Sequence, residues 1–308
     1  MSTSDQKPSP PGEITMAVIG CGTMGIAILS GILTSLTSPT ASPPPPSIPT
    51  RFIAAVRTPA SAAAVTAALP FPNHLTVLHA SNLLAAQSAS IILLACKPHL
   101  AAPILSAPGM AAALSSKTLI SILAGVTAPQ LAALVPSDVR IVRAMPNTAS
   151  IIREGMTVLA TPLPDEATAS VVEWMFRQVG DVVQLPAASM DASTALCGSG
   201  PAFFALVLEA AVDGAVAMGL PRKEAQRMAA QTMKGAAALV LGGEHPALLR
   251  EKVTTPGGCT IGGLLVLEEG RVRGTVARAV REATVVAGQL GKGVQGVNGT
   301  RFPGSAQL

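Results

Sequence analysis

An α/β fold is predicted over residues 14–163, a parallel sheet with crossover helices, followed by an all-helical domain over 164–290. Three observations predict it. Short aliphatic and β-branched runs alternate with Ala/Leu-rich helical segments through the first half of the chain, as in strands joined by crossover helices. From about Pro164 the strand-like runs give way to helix after helix. The composition is 49% hydrophobic but only 2% aromatic, with no Tyr, which favours helices packed through small side chains. A length of 308 residues suffices for two domains with their own cores.

Residues 1–13 are polar and Pro-rich and are expected to form a disordered tail. The run TMAVI at 15–19 reads as a buried strand, Gly20 to Gly25 as a turn, and 26–36 as a helix. Residues 37–50 carry SPTASPPPPSIPT, which neither a helix nor a central strand accommodates, so a surface insertion is expected there. Strands follow at 51–56, 75–78, 91–96, 118–123, 139–144 and 157–160, with a helix at 61–69 and further helical segments between. Asp165 stands where it would cap a helix through 176. Helices are read at 201–218, 221–241, 245–253, 260–269 and 272–290, with Pro221 in a first turn, where its missing N–H costs little. The Gly-rich residues 291–308 are expected to be a flexible tail. The apolar helices beyond Pro201 carry few charges on any face and must be buried. A small helical lobe cannot bury that much by itself, so a homodimer is expected, with a higher oligomer or a larger monomeric core as open alternatives.

Charge and cysteine usage narrow the function classes. Charged residues are 12% of the chain, the net charge is +4, and no dense Lys/Arg block occurs. A nucleic-acid surface is therefore not expected. Cys21, Cys96, Cys197 and Cys259 form no CxxC pair and the four histidines show no ligand spacing, so neither a metal site nor a disulfide framework is read. A reducing, cytoplasmic location is expected. The uncharged stretch 14–50 is interrupted by Gly20, Gly22, Gly25 and Gly31 and has no basic leader, so no membrane segment is expected.

Gly20-Cys21-Gly22-Thr23-Met24-Gly25 matches G-x-G-x-x-G between a strand and a helix, the context a dinucleotide fingerprint requires. Gly20 allows the tight turn, Gly22 the approach of a pyrophosphate, and Gly25 close helix–strand packing. The second strand ends Ala55-Val56-Arg57-Thr58 without the carboxylate that NAD enzymes place there. Arg57 suits a 2′-phosphate and Thr58 can add a hydrogen bond, so NADPH is favoured and use of NADH stays open. Ala95-Cys96-Lys97 and Ala124 follow later strands, where loops line the ligand crevice of such sheets.

Two motifs mark the helical half: Gly198-Ser199-Gly200-Pro201 and Thr254-Thr255-Pro256-Gly257-Gly258-Cys259-Thr260. Small residues at a helix start expose backbone N–H groups to an anion, and the threonines add neutral donors. The pattern suits a carboxylate on a small ring.

The segments AVIGCGTMG, LLACKPHL, ISILAGVT, VRAMPNTAS with REGMTV, ALCGSGPAFF, AVAMGLPRKEA and VTTPGGCTIGGLLVLE run in order over about 14–290. On these the chain resembles the pyrroline-5-carboxylate reductase family. The resemblance implies a Rossmann-type domain, an all-α dimerisation domain, and an active site shared across the dimer. It implies NADPH-dependent reduction of 1-pyrroline-5-carboxylate to L-proline. It places Ile19, Gly20, Cys21, Gly22, Thr23 and Met24 at the pyrophosphate, and Arg57 and Thr58 near the adenosine phosphate. Asn82, Ala95, Lys97 and Ala124 fall at family cofactor contacts, with Cys96 and Gly25 beside them. The substrate site is expected to include Ser199, Thr255, Gly257, Gly258, Cys259 and Thr260. Thr255 and the N–H groups of Gly258 and Cys259 would hold the carboxylate. Thr260, the candidate catalytic residue, would bond the ring nitrogen. The Thr-Thr pair stands where many relatives have Ser-Ser, and Ala187, Gly243 and Lys252 replace acidic or amide side chains of some relatives. A β-hydroxyacid dehydrogenase of the same architecture would need a lysine on the first long helix of the second domain, and residues 201–222 contain none. A non-catalytic NADPH-binding protein is the remaining alternative.

Overall fold

A computed structural model describes residues 13–37, 45, 47–294 and 297. The expectations for the first twelve residues, for residues 38–44 and 46 of the insertion, and for nearly all of the tail beyond 294 lie outside the described residues.

The chain runs β1 (Ile14–Ile19), α1 (Thr23–Thr37), β2 (Pro49–Val56), α2 (Pro59–Ala68), β3 (Leu75–His79), α3 (Asn82–Gln87), β4 (Ile91–Leu94), α4 (Ala101–Leu105), α5 (Met110–Leu114), β5 (Thr118–Ser121), α6 (Ala128–Ala132) and β6 (Arg140–Met145). Then come β7 (Gly155–Thr161), α7 (Glu166–Arg177), β8 (Gly180–Pro186) and α8 (Met190–Ser193). The remaining helices are α9 (Gly200–Ala217), α10 (Arg222–Leu241), α11 (Pro246–Lys252), α12 (Cys259–Glu269) and α13 (Val272–Gly291). One sheet has the order β3-β2-β1-β4-β5-β6-β7-β8. Its neighbours are parallel except β6 and β7, which are antiparallel.

Alternation along the central strands explains the layering. Met16 and Val18 of β1, Leu93 of β4 and Ile120 of β5 pack with Ile28, Leu29, Ile32 and Leu33 of α1 on one face. Ile19, Ile92, Leu94 and Leu119 point to the other face, against Leu105 and Leu114. Successive strand side chains face opposite ways, so a sheet covered on both faces needs the nearly continuous apolar runs this sequence has.

The structure divides into two compact units, one reaching Gly198 and resuming at Thr284, the other Ser199–Ala283. The expected change to an all-helical domain at residue 164 is thereby corrected. Helix α7 is there, with Asp165 Oδ1 accepting from Thr168 N–H at 2.7 Å as its cap. It leads, however, into an eighth strand that pairs with β7 from Gly155↔Gly180 to Thr161↔Pro186. Strand β8 (GDVVQLP) is an edge strand with only Val182 buried, so it lacks the apolar run that marks the others. A Cβ on Gly31 of α1 would also strike Val179 Cγ1 and come 2.7 Å from Gln178 O, packing the α7–β8 connection directly on α1.

In the second unit, Leu220 N–H donates to Ala215 O at 3.1 Å and Gly219 takes φ +96, a C-terminal cap that ends α9 and turns the chain toward α10. Between these helices runs an apolar groove of about 390 Å³ that includes Val207, Ala211, Ala225, Met228 and Ala229. Large apolar side chains stand exposed on this unit, among them Leu206 at 67% and Val266 at 65%. The helical run Ala187–Ala217 is long and apolar enough to cross a membrane by length and composition.

Candidate active site

The loops after β1, β2 and β4 meet at one edge of the sheet. Gly20 and Cys21 N–H both donate to Ala55 O, at 2.9 and 3.1 Å, and Ala95 N–H donates to Ile19 O at 2.9 Å. Gly20 takes φ +79, and a Cβ there would lie 2.6 Å from Cys96 Cα. Between β1 and β4 the strand order reverses direction, the point at which ligands bind in open α/β sheets. Ile19, Gly20, Cys21, Ala95 and Cys96 are thus brought together as the sequence predicted.

Helix α1 starts at Thr23, three residues before its expected start, inside the glycine motif. Gly22 N–H turns back onto Gly20 O at 2.7 Å and Ile26 N–H closes onto Gly22 O at 2.8 Å. The N–H groups of Thr23, Met24 and Gly25 lie before that closure and, as in any first helical turn, have no intrahelical acceptor. The first turn carries no acidic residue. A Cβ on Gly22 would meet nothing nearer than Gly20 O at 4.0 Å, so this glycine leaves open space on the solvent side. Gly25 differs: its Cβ would press on Val18 Cγ1 at 3.0 Å, the close helix–strand contact expected. An exposed phosphate cradle at a helix start fits a dinucleotide.

Arg57 is exposed at the end of β2. Thr58 caps α2, its Oγ accepting from Ser61 N–H at 3.2 Å and lying 2.9 Å from Ser61 Oγ. Ser61 is a hydroxyl against Thr58 that sequence reasoning missed; its signal was the three-residue spacing from a capping threonine ahead of Pro59. Asn82 opens α3 after β3, Lys97 is exposed after β4, and Ala124 is exposed after β5. All follow the same ends of parallel strands, so they share the crevice edge.

The second candidate site opens α12. Thr255 O accepts from Gly258 N–H at 3.1 Å, with Pro256 next and Gly257 at φ +66. Proline then left-handed glycine is the type II turn pattern. This corrects one expectation: the Gly258 N–H is spent inside the turn and is not an open donor. The open donors begin at Cys259 and continue with Thr260 and Ile261, the first residues of α12. A Cβ on Gly258 would collide with Thr255 Oγ, so the glycine lets that hydroxyl lie against the turn. Thr260 is half-buried and Thr255 and Cys259 are exposed. Ser199 is the residue before α9, and its hydroxyl makes no capping bond. Lys252 pairs with Glu244 Oε1 at 2.5 Å.

Burial pushes the Cys21 thiol up to about 12 and that of Cys96 up to about 11, and it raises Cys197 as well. Burial disfavours the thiolate at all three, whereas Cys259 is exposed. Among the described residues no cluster of His, Cys, Asp or Glu could hold a metal ion.

Comparisons with known proteins bear on both sites. Residues 187–290 match the family model described as pyrroline-5-carboxylate reductase dimerisation. Residues 15–125 match that described as NADP oxidoreductase coenzyme F420-dependent. The chain is 63% identical to a pyrroline-5-carboxylate reductase of Lophium arboricola, over 94% of this chain and 97% of the relative. It is 59% identical to the Neurospora crassa enzyme of that name, with the same shares of each chain covered. Among solved structures, the Plasmodium falciparum pyrroline carboxylate reductase with NADP bound superposes with a TM-score of 0.76 at 28% identity, covering 91% of this chain and 99% of that one. With identity this high over nearly the whole length of both chains, the protein belongs to the pyrroline-5-carboxylate reductase family.

Proposed function

We propose that the protein is a pyrroline-5-carboxylate reductase that uses NADPH to reduce the C=N bond of 1-pyrroline-5-carboxylate to L-proline, the final step of proline biosynthesis. The observation that carries this reading is the Thr255–Thr260 turn. A type II turn delivers the chain into α12 with the N–H groups of Cys259 and Thr260 open and the hydroxyls of Thr255 and Thr260 five positions apart. The positive end of a helix favours an anion, and neutral hydroxyls suit a ring nitrogen better than a charged side chain does.

Bound NADPH supplies the hydride, which adds to the imine carbon. Ile19 to Gly25 would hold its pyrophosphate, Arg57 its 2′-phosphate, and Asn82, Ala95, Cys96, Lys97 and Ala124 the rest of the crevice wall. The N–H groups at the start of α12, with Thr255, would grip the substrate carboxylate. The Thr260 hydroxyl is a poor Brønsted acid; it would hold the ring nitrogen in place and relay a proton from water.

The absence of lysine from α9 counts against a β-hydroxyacid dehydrogenase. Mixing purified protein with NADPH and 1-pyrroline-5-carboxylate tests the reading: rapid, substrate-dependent loss of NADPH absorbance with L-proline formed is expected. A protein that binds NADPH but leaves it reduced would instead be the non-catalytic alternative. The same assay with NADH fixes the cofactor preference.

The exposed apolar faces of the helical unit support a homodimer, and a cytoplasmic location fits the free cysteines. Self-association is the use this reading gives the apolar run Ala187–Ala217, which falls in the segment matching the dimerisation family model. That run is made of a short 3-10 turn, α8, a π-helical turn at Thr194–Gly198 and α9.

A further inference from the structure

The loop that follows β5 is held by the last turn of α13. Gly125 takes φ +75, and a Cβ on it would lie 3.2 Å from Gly291 N. A Cβ on Gly291 would lie 2.8 Å from Gly125 O. Gln130 closes the arrangement. Its Oε1 accepts from Thr127 N–H at 2.7 Å and from the Thr127 hydroxyl at 2.9 Å, while Thr127 Oγ accepts from Gln130 N–H. Its Nε2 donates to Gly291 O at 2.9 Å, one of the carbonyls a helix end leaves without a partner. One side-chain amide therefore caps two helices, the start of α6 through its oxygen and the end of α13 through its nitrogen. Glutamate, which also serves in a capping box, can do the first and not the second.

We propose that Gln130 is a positioning residue. By fastening the last turn of α13 against Gly125, it fixes the Ala124–Val126 loop at the crevice edge and so sets the geometry in which the nicotinamide meets its acceptor. The inference rests on the reading of the protein as an NADPH-dependent reductase. Strand β5 lies two places from β1, with β4 between, so this loop borders the crevice without forming the pyrophosphate turn. Misplacing it should alter the reaction and spare the grip on the phosphates.

Gln130→Glu is the decisive variant, because it keeps the capping box and sets a carboxylate against the Gly291 carbonyl. Its kcat should fall about tenfold or more, since small displacements of reacting groups are costly. Its KM for NADPH should stay within about twofold, as expected where ground-state binding is untouched. Hydrogen exchange of the amides of residues 122–126 should quicken several-fold, roughly as local opening becomes easier. Gly291→Ala, which drives a methyl at Gly125 O, should give the same pattern and decides the matter if the first variant folds poorly. Wild-type kcat or unchanged exchange in Gln130→Glu overturns the proposal. So does a loss of NADPH affinity and melting temperature in step with activity, the mark of a merely structural role. A wild-type protein that does not reduce 1-pyrroline-5-carboxylate overturns the functional reading and the positioning role together, while faster exchange in the variant would leave the clamp itself standing.

Discussion

Single residues set the chemistry. Arg57 stands exposed at the end of β2 with no carboxylate in the Ala55–Thr58 segment around it. A charge-assisted bond to a 2′-phosphate contributes about 1.5–3 kcal/mol. Arg57→Ala should therefore raise the KM for NADPH about 10- to 100-fold while leaving that for NADH nearly unchanged; a parallel rise for both cofactors would place the 2′-phosphate elsewhere. Thr260→Ala removes a hydroxyl without disturbing the helix start, whose N–H groups belong to the backbone. Turnover should fall on the order of 100-fold with NADPH binding retained, as judged by cofactor fluorescence titration. Turnover at the wild-type rate would remove Thr260 from the mechanism. Most of these positions were legible because glycine patterns and strand ends have definite physical meanings. Gly258 was misassigned because the Pro-Gly pair ahead of it was not read as a turn that consumes the next N–H.

Elements were legible in proportion to their burial. β1, β4 and β5 are buried at nearly every position because helices cover both sheet faces, and their short, mostly aliphatic runs stand out in the sequence. β8 has one buried residue, and α4, α5 and α6 are five residues each, too short for a helical period to show. Helix α7 was visible through its cap. The Asp165 carboxylate accepts from the N–H and hydroxyl of Thr168 and lies 3.9 Å from Arg140. The Thr168 bonds first, and Arg140 after them, hold its pKa below the usual carboxylate range. A depressed folded-state pKa stabilises the fold above the unfolded value, near 4, and that contribution disappears as pH falls through the folded value. Denaturant titrations from pH 6 down to about 2 should show Asp165→Asn less stable than wild type at the upper end and converging with it in acid. A constant gap across that range would mean the carboxylate charge is not what matters.

For the molecule as a whole, the apolar surface of the helical unit is the dominant feature. Leu206 and Val266 are 67% and 65% exposed in the single chain, and patches of such residues mark association surfaces. Leu206→Glu combined with Val266→Asp should shift the protein toward monomer in analytical ultracentrifugation. Reductase activity should fall with it if the catalytic assembly spans two subunits. A monomeric double variant with full activity would show that each chain works alone. The sequence predicted this surface from helices with too few charges for their length, but the faces that lie open could be seen only once α9 and α10 were placed side by side.

The reversal between β6 and β7 has a practical consequence. Six strands point their C-termini to the nucleotide margin, whereas β7 and β8 point theirs to the far margin, where Asp165 reaches Arg140 at the opening of β6. The exposed bend at Pro162 and Pro164 therefore sits on the reverse rim of the sheet. A fluorophore or short peptide grafted there should report on folding while leaving the dissociation constant for NADPH untouched, which makes that rim the natural place to instrument this enzyme.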